Sequence, residues 1–276
     1  MIDPKSKLFV LHDDNSVFSD HSDNAADYVR DNFSVELVAA EDYLYLGYTK
    51  PFGSAYIELV TANVNTNSLT LEYNDGTTWQ SLSLTDESKG MTRSGYWFWD
   101  KSVMKSSEVN NQEAFWVRVR PSVDHSPTSV RGINLIFSDD NMLKNEFFEI
   151  DNSNLLPPGE SSHIVNHVAS RNTIIQRLRN LGYIKTTSAS QVLDINQWDL
   201  IDIFEIRQAA TMLCLAKIFF ILSDSPEDTW WAKYREYQDK YEEMFRLARL
   251  SIDIDNDGTD DAEEVKAQVK SFRWNR

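Results

Sequence analysis

Residues 253–264 read Asp-Ile-Asp-Asn-Asp-Gly-Thr-Asp-Asp-Ala-Glu-Glu. This run fits the calcium-loop pattern of three acids at alternate positions, a glycine at the sixth and a glutamate at the twelfth. Asp253, Asp255 and Asp257 offer side-chain oxygens, and Gly258 permits the sharp turn. Thr259 offers its carbonyl, Asp261 can act through water, and Glu264 can bind through both oxygens. Oxygen-only ligands select a hard cation, Ca2+ before others. The eighth position is Asp260, where loops that work in pairs carry an aliphatic residue, and no second loop exists in the chain. A lone structural calcium site and an acidic, solvated turn both satisfy the sequence.

Other chemistry-bearing residues are sparse. His163 and His167 stand four apart on one predicted helix, a spacing that can hold a metal, but no third ligand is near. An ordinary polar helix face is the expectation. Cys214 is the single cysteine and lies within an apolar run, so a buried, inert thiol is expected and no disulfide framework is possible. No phosphate loop, nucleophile elbow or zinc-protease motif occurs, which points away from an enzyme. Tyr96-Trp97-Phe98-Trp99, together with Trp79, can form core, a protein interface or a sugar platform.

Composition narrows the partners. A net charge of −16 repels nucleic acid, so no specific nucleic-acid binding is expected. The longest apolar stretch, Ala209–Leu222, contains Lys217 and is short for a bilayer span, so no membrane partner is expected. The amino-terminal residues show no signal-peptide pattern, which implies synthesis in a cytoplasm.

The elements that must position these residues fall into two groups. Residues 1–33 read as an arm or leading element. Within it, Lys7–Leu11 suggests a short strand and Asp23–Asn32 a short helix. Residues 34–150 read as a β-sandwich module, with strand-like runs at Ser34–Val38, Tyr43–Tyr48, Ala55–Val60, Ser68–Tyr73, Gln80–Leu84, Gly95–Trp99, Phe115–Arg120 and Gly132–Phe137. Asn74-Asp75-Gly76 and Asn110-Asn111 mark turns. Residues 151–160, with Leu-Leu-Pro-Pro-Gly at 155–159, read as a linker. Residues 161–276 read as helical. A helix capped by Ser161-Ser162 runs to Asn180, a buried helix spans Ile203–Ser223, another is capped by Ser225 and runs to Leu250, and a short last helix begins near Asp261. The fold class is α+β, an antiparallel sandwich followed by a helical domain.

Two groups of motifs carry a family resemblance. Tyr43-Leu-Tyr-Leu-Gly-Tyr-Thr-Lys-Pro-Phe52, Leu69-Thr-Leu-Glu-Tyr-Asn-Asp-Gly-Thr-Thr-Trp79 and Leu84-Thr-Asp-Glu-Ser-Lys-Gly-Met-Thr-Arg-Ser-Gly95, with Trp116 in a late strand, resemble a β-sandwich module of phage tail, baseplate and neck proteins. Ile206-Arg-Gln-Ala-Ala, the helix after Ser225 and the Asp-rich loop are similar to the head–tail connector, or adaptor, proteins of tailed phages. The resemblance implies a structural virion protein of the neck or tail region. It would form a homo-oligomeric ring, with the portal protein and other neck or tail proteins as partners and no catalytic residues. The alternative from a different class is a carbohydrate- or receptor-binding module using Trp97, Trp99 or Trp79.

Overall fold

The computed structural model describes residues 8–26, 31–39, 41–152, 154–157, 160–186, 192–253 and 267–268. The chain separates into two compact units, Met1–Leu135 and Ile136–Arg276. The fold is α+β, strands first and helices after.

The first unit holds two antiparallel sheets. β1 (Phe9–Asp14), β2 (Val17–Asp20), β4 (Tyr43–Tyr48), β6 (Leu69–Asn74), β7 (Trp79–Leu82) and β11 (Gln112–Pro121) form one, in the order β2-β1-β4-β11-β6-β7, and β10 (Ser106–Val109) also pairs with β11. β3 (Phe33–Val35), β12 (Thr128–Asn134), β5 (Ser54–Thr61), β9 (Gly95–Phe98) and β8 (Thr85–Asp86) form the other, in that order. A short helix, α1 (Ser22–Ala26), follows β2.

Alternation decides which side chains enter the core. In β4, Leu44, Leu46 and Tyr48 are buried on one face, and in β11 Val117 and Val119 match them. The opposite face carries Tyr43, Tyr45 and Gly47 from β4 and Trp116, Arg118 and Arg120 from β11.

Two short motifs act as pegs. Asp75 closes the β6–β7 turn by accepting from the N–H of Thr77 at 2.9 Å, the N–H of Thr78 at 2.8 Å and the Thr77 hydroxyl at 2.8 Å. These bonds hold its carboxyl far below the usual range. Asp86 accepts from the Ser88 N–H, the Ser88 hydroxyl, the Gly90 N–H and the Trp97 indole at 2.8, 2.6, 2.7 and 3.0 Å. Lys89, Gly90 and Met91 are left-handed there, and Gly90 has no room for a side chain, since a Cβ would fall 2.2 Å from Asn67 Oδ1.

The second unit holds α2 (Asp140–Glu146), a 3-10 turn at Phe148–Asp151, α3 (Ile164–Asn180), α4 (Phe204–Leu222) and α5 (Thr229–Leu247). Small strand pairs accompany them: β13 (Ile184–Thr186) with β14 (Val192–Asp194), and β15 (Arg249–Leu250) with β16 (Ala267–Gln268). α4 is apolar around most of its circumference and is the centre of the unit. The segment 140–150, grouped with the strands by the sequence reading, packs here. Its apolar side chains need a helical surface, and Phe147 meets Phe219 of α4 at 5.2 Å between ring centroids.

Two helix starts differ from expectation. α5 begins at Thr229 with Asp228 as its cap, not Ser225. The Asp228 carboxylate accepts from Trp231 N–H at 2.6 Å inside the helix and from Asp224 N–H at 2.7 Å in the turn before it, which a serine cannot do at once. α3 begins at Ile164 behind His163, because the His163 N–H donates to Asp140 at 3.1 Å. Among the described residues no helix is long and apolar enough to cross a membrane.

Candidate functional site

The helical unit carries a groove of about 650 Å3. α4 forms its floor through Leu213, Lys217, Phe220 and Ile221, while α3 and α5 stand as its walls. Arg177 of α3 and Glu242 of α5 close one end in a two-bond ion pair of 2.9 and 2.6 Å. The Arg177 guanidinium also lies over the rings of Phe245 at 4.2 Å and Tyr241 at 5.1 Å. At the other end Phe220 packs on Tyr234 at 5.2 Å yet is 53% exposed, and Ile221 is 71% exposed. The groove therefore has a charged, closed end and an apolar, open one. It can receive an extended or helical segment of another chain. The apolar run Ala209–Leu222 made α4 visible in the sequence. The exposed positions at its end had no separate signal.

On the strand unit, the outer face of the larger sheet holds a polar and aromatic row. Register aligns Leu11, Tyr45, Arg118, Glu72 and Ser81 across five strands. Arg118 sits between Tyr43 at 3.9 Å and Trp79 at 4.3 Å from the ring centroids, and its nitrogens donate to Glu72 at 2.6 Å and to the Tyr45 hydroxyl at 3.2 Å. Burial pushes the Tyr45 phenol up, against the pull of Arg118. Trp97 is fully buried and Trp99 8% exposed, so neither offers a surface platform; both faces of the Tyr96–Trp99 run are packed. Trp79 is half-buried with Arg118 against its ring.

His163 and His167 are not a solvated helix face, as the sequence reading held. Both are 1% exposed. His167 Nδ1 meets the Ser138 hydroxyl at 2.8 Å and its Nε2 meets Asp140 at 3.0 Å. Burial lowers the His167 pKa, but the neighbouring Cys214 sulfur and the Asp140 carboxylate outweigh it and raise the value to about 10. Asp140 is opposed by its own burial and still held below its ordinary value by His167. Burial lowers His163. Cys214 is fully buried beside His167, out of reach of a substrate. This cluster fastens α2 to α3 and α4 through charge and hydrogen bonds.

Of the acidic loop, Asp253 is described, while Asp255, Asp257, Thr259, Asp261 and Glu264 lie outside the described residues. Asp253 is buried and its N–H donates to the Asp199 carbonyl at 2.8 Å. Asp199 in turn accepts from Asn196 N–H at 2.6 Å in a capping box. The loop thus starts from a fixed backbone. Among the described residues no three acidic, histidine or cysteine side chains converge on a cation-sized site.

No family model matches this chain. No curated protein is similar to it at a significant level. Among solved structures, a rhamnosidase from Klebsiella oxytoca with rhamnose bound aligns at 13% identity and a TM-score of 0.17, over 89% of this chain and 56% of that one. This chain spans little more than half the length of that structure, and the likeness is too slight to carry an argument.

Proposed function

We propose that the chain is a non-catalytic structural protein of a tailed-phage virion. It would be a head–tail connector that forms a homo-oligomeric ring between the portal protein and the tail, after synthesis in the host cytoplasm. The observation that carries the reading is the open end of the helical groove. Phe220 and Ile221 continue the buried helix α4 into solvent, where about 2–4 kcal/mol of apolar burial is left for a neighbour to complete. The motif residues behind the phage resemblance add support. Gly47, Trp116, Asp75 and Asp86 are structural pegs of one sandwich, as a scaffold module requires. The net charge of −16 suits a component past which DNA moves without being gripped. Imaging particles that contain this chain tests the proposal. Closed rings at the neck are the expected result, and single scattered copies, or absence from the particle, would sink it.

A further inference from the structure

Three consecutive residues of the strand unit tie three loops together. Asp124 accepts from the Ala39 N–H through its carboxylate and from the Asn65 side-chain amide through its carbonyl, each at 2.8 Å. Ser126 donates from its N–H and its hydroxyl to Asn63 Oδ1, both at 3.0 Å, and its hydroxyl accepts from the Val64 N–H at 2.9 Å. Between them His125 donates its backbone N–H to the Leu37 carbonyl at 2.9 Å and buries its side chain, 3% exposed.

Neither ring nitrogen of His125 has a hydrogen-bond partner among the described residues. A neutral imidazole carries one donor and one acceptor, and both are left unmet there. An imidazolium would bring two donors and a charge to the same place, at far higher cost. The loop 63–67 offers only asparagine, valine and threonine side chains, and the Glu36 side chain beside Leu37 is exposed. The charge that acts on the ring is the Asp86 carboxylate of β8, and that group is already engaged by four donors of its own turn. Burial holds the His125 pKa down to about 4, against the upward pull of Asp86.

We infer that His125 is an acid-sensitive pin: on gaining a proton its ring leaves the interior, and the loop 122–126 opens and frees the loops 36–39 and 63–67. The opening is local, because the pairings of β4, β11 and β6 run through none of these loop residues. The closed loop resists a proton that the open loop binds freely at the ordinary histidine value. Lowering the pH from about 6.5 therefore favours the open state, and the effect levels off below about 4.

Hydrogen exchange of the full chain, followed by mass spectrometry at pH 7 and pH 5 and corrected for the intrinsic exchange rate, reads this opening. Peptides that cover Ala39, Val64 and His125 should lose protection at least about tenfold between the two, as the difference between open and closed pKa values requires. Peptides from β4 and β11 should keep theirs. His125→Gln and His125→Phe, one polar and one apolar, have no titrating ring and should show flat protection at the loops. No loss in the wild-type protein would overturn the inference, as would an equal loss in β4 and β11. An equal loss at the loops in either folded variant would also overturn it and assign the acid response to carboxylates such as Asp86 or Asp124.

Discussion

Trp116 lies over Gly47 of the adjacent strand so closely that a Cβ at residue 47 would fall 2.5 Å from two atoms of the indole ring. The ring cannot swing away freely. It is fully buried, and its Nε1–H donates to the carbonyls of Ser107 at 3.1 Å and Gln112 at 3.3 Å. Gly47→Ala should therefore cost about 2–3 kcal/mol through overpacking. Urea denaturation measures it, and a cost below about 0.5 kcal/mol would show that the ring has room to yield.

Asp86 gathers four donors, and removing it frees the turn behind it and leaves the buried Trp97 indole N–H with Ser88 Oγ, at 2.9 Å, as its acceptor. Asp86→Ala should cost about 3 kcal/mol, while Trp97→Phe, which removes one donor and keeps most of the ring volume, should cost about half as much. The order of the two melting points checks this. If Trp97→Phe is the more damaging, packing rather than the Asp86 network dominates.

The Asp140–His167 pair makes a pH prediction with a definite sign. His167 has a raised pKa, so its contribution is complete below about 6.5 and is lost as pH climbs toward about 10. Asp140 has a lowered pKa, so its contribution is present above the ordinary carboxylate range and disappears as pH falls through its folded value. Unfolding free energy should decline between pH 6.5 and 10, and Asp140→Asn should flatten that decline. Equal slopes for the two proteins across this range would mean that His167 is neutral in the fold.

Calcium binding by the loop 253–264 remains a proposal that a melting experiment decides. Seven carboxylates in twelve residues repel one another until a divalent cation joins them. Wild-type protein should melt several degrees higher in calcium than in chelator, and the combination of Asp255→Ala with Glu264→Gln should abolish the difference. Identical wild-type curves in calcium and chelator would leave the loop as a solvated turn.

Much of this architecture was legible in residue order because its signals are local. The alternation in Tyr43–Tyr48 and Phe115–Arg120 marked strands, Asn110 and Asn111 marked a turn and both adopt positive φ, and the apolar run through Cys214 marked the central helix. β2 and β10 escaped because they are only four residues long and each half-buries a single apolar side chain, Phe18 or Val109, too little to impose a pattern. The burial of His163 and His167 was not legible, since it depends on Ser138, Asp140 and Cys214 brought from other elements. Likewise the aromatic run Tyr96–Trp99 announced burial on one face, and only the register with β5 shows why both are filled. The position of Arg118 between Tyr43 and Trp79 needed the pairing of four strands, β4, β11, β6 and β7, although alternation had already put Tyr43 and Arg118 on available faces.

The central place of β11 has a consequence for the chain as it is made. β4 and β6 have no bond to each other, and both must wait for the strand that ends at Pro121. At about 5–20 residues per second, translation from Asn74 to Gln112 takes roughly 2–8 s. For that interval two apolar strands leave the ribosome with open edges, at a time when many nascent copies are close together. The first hazard this protein meets in the cell that makes it is therefore premature pairing between unfinished chains, which makes chaperone supply during synthesis a control on its yield.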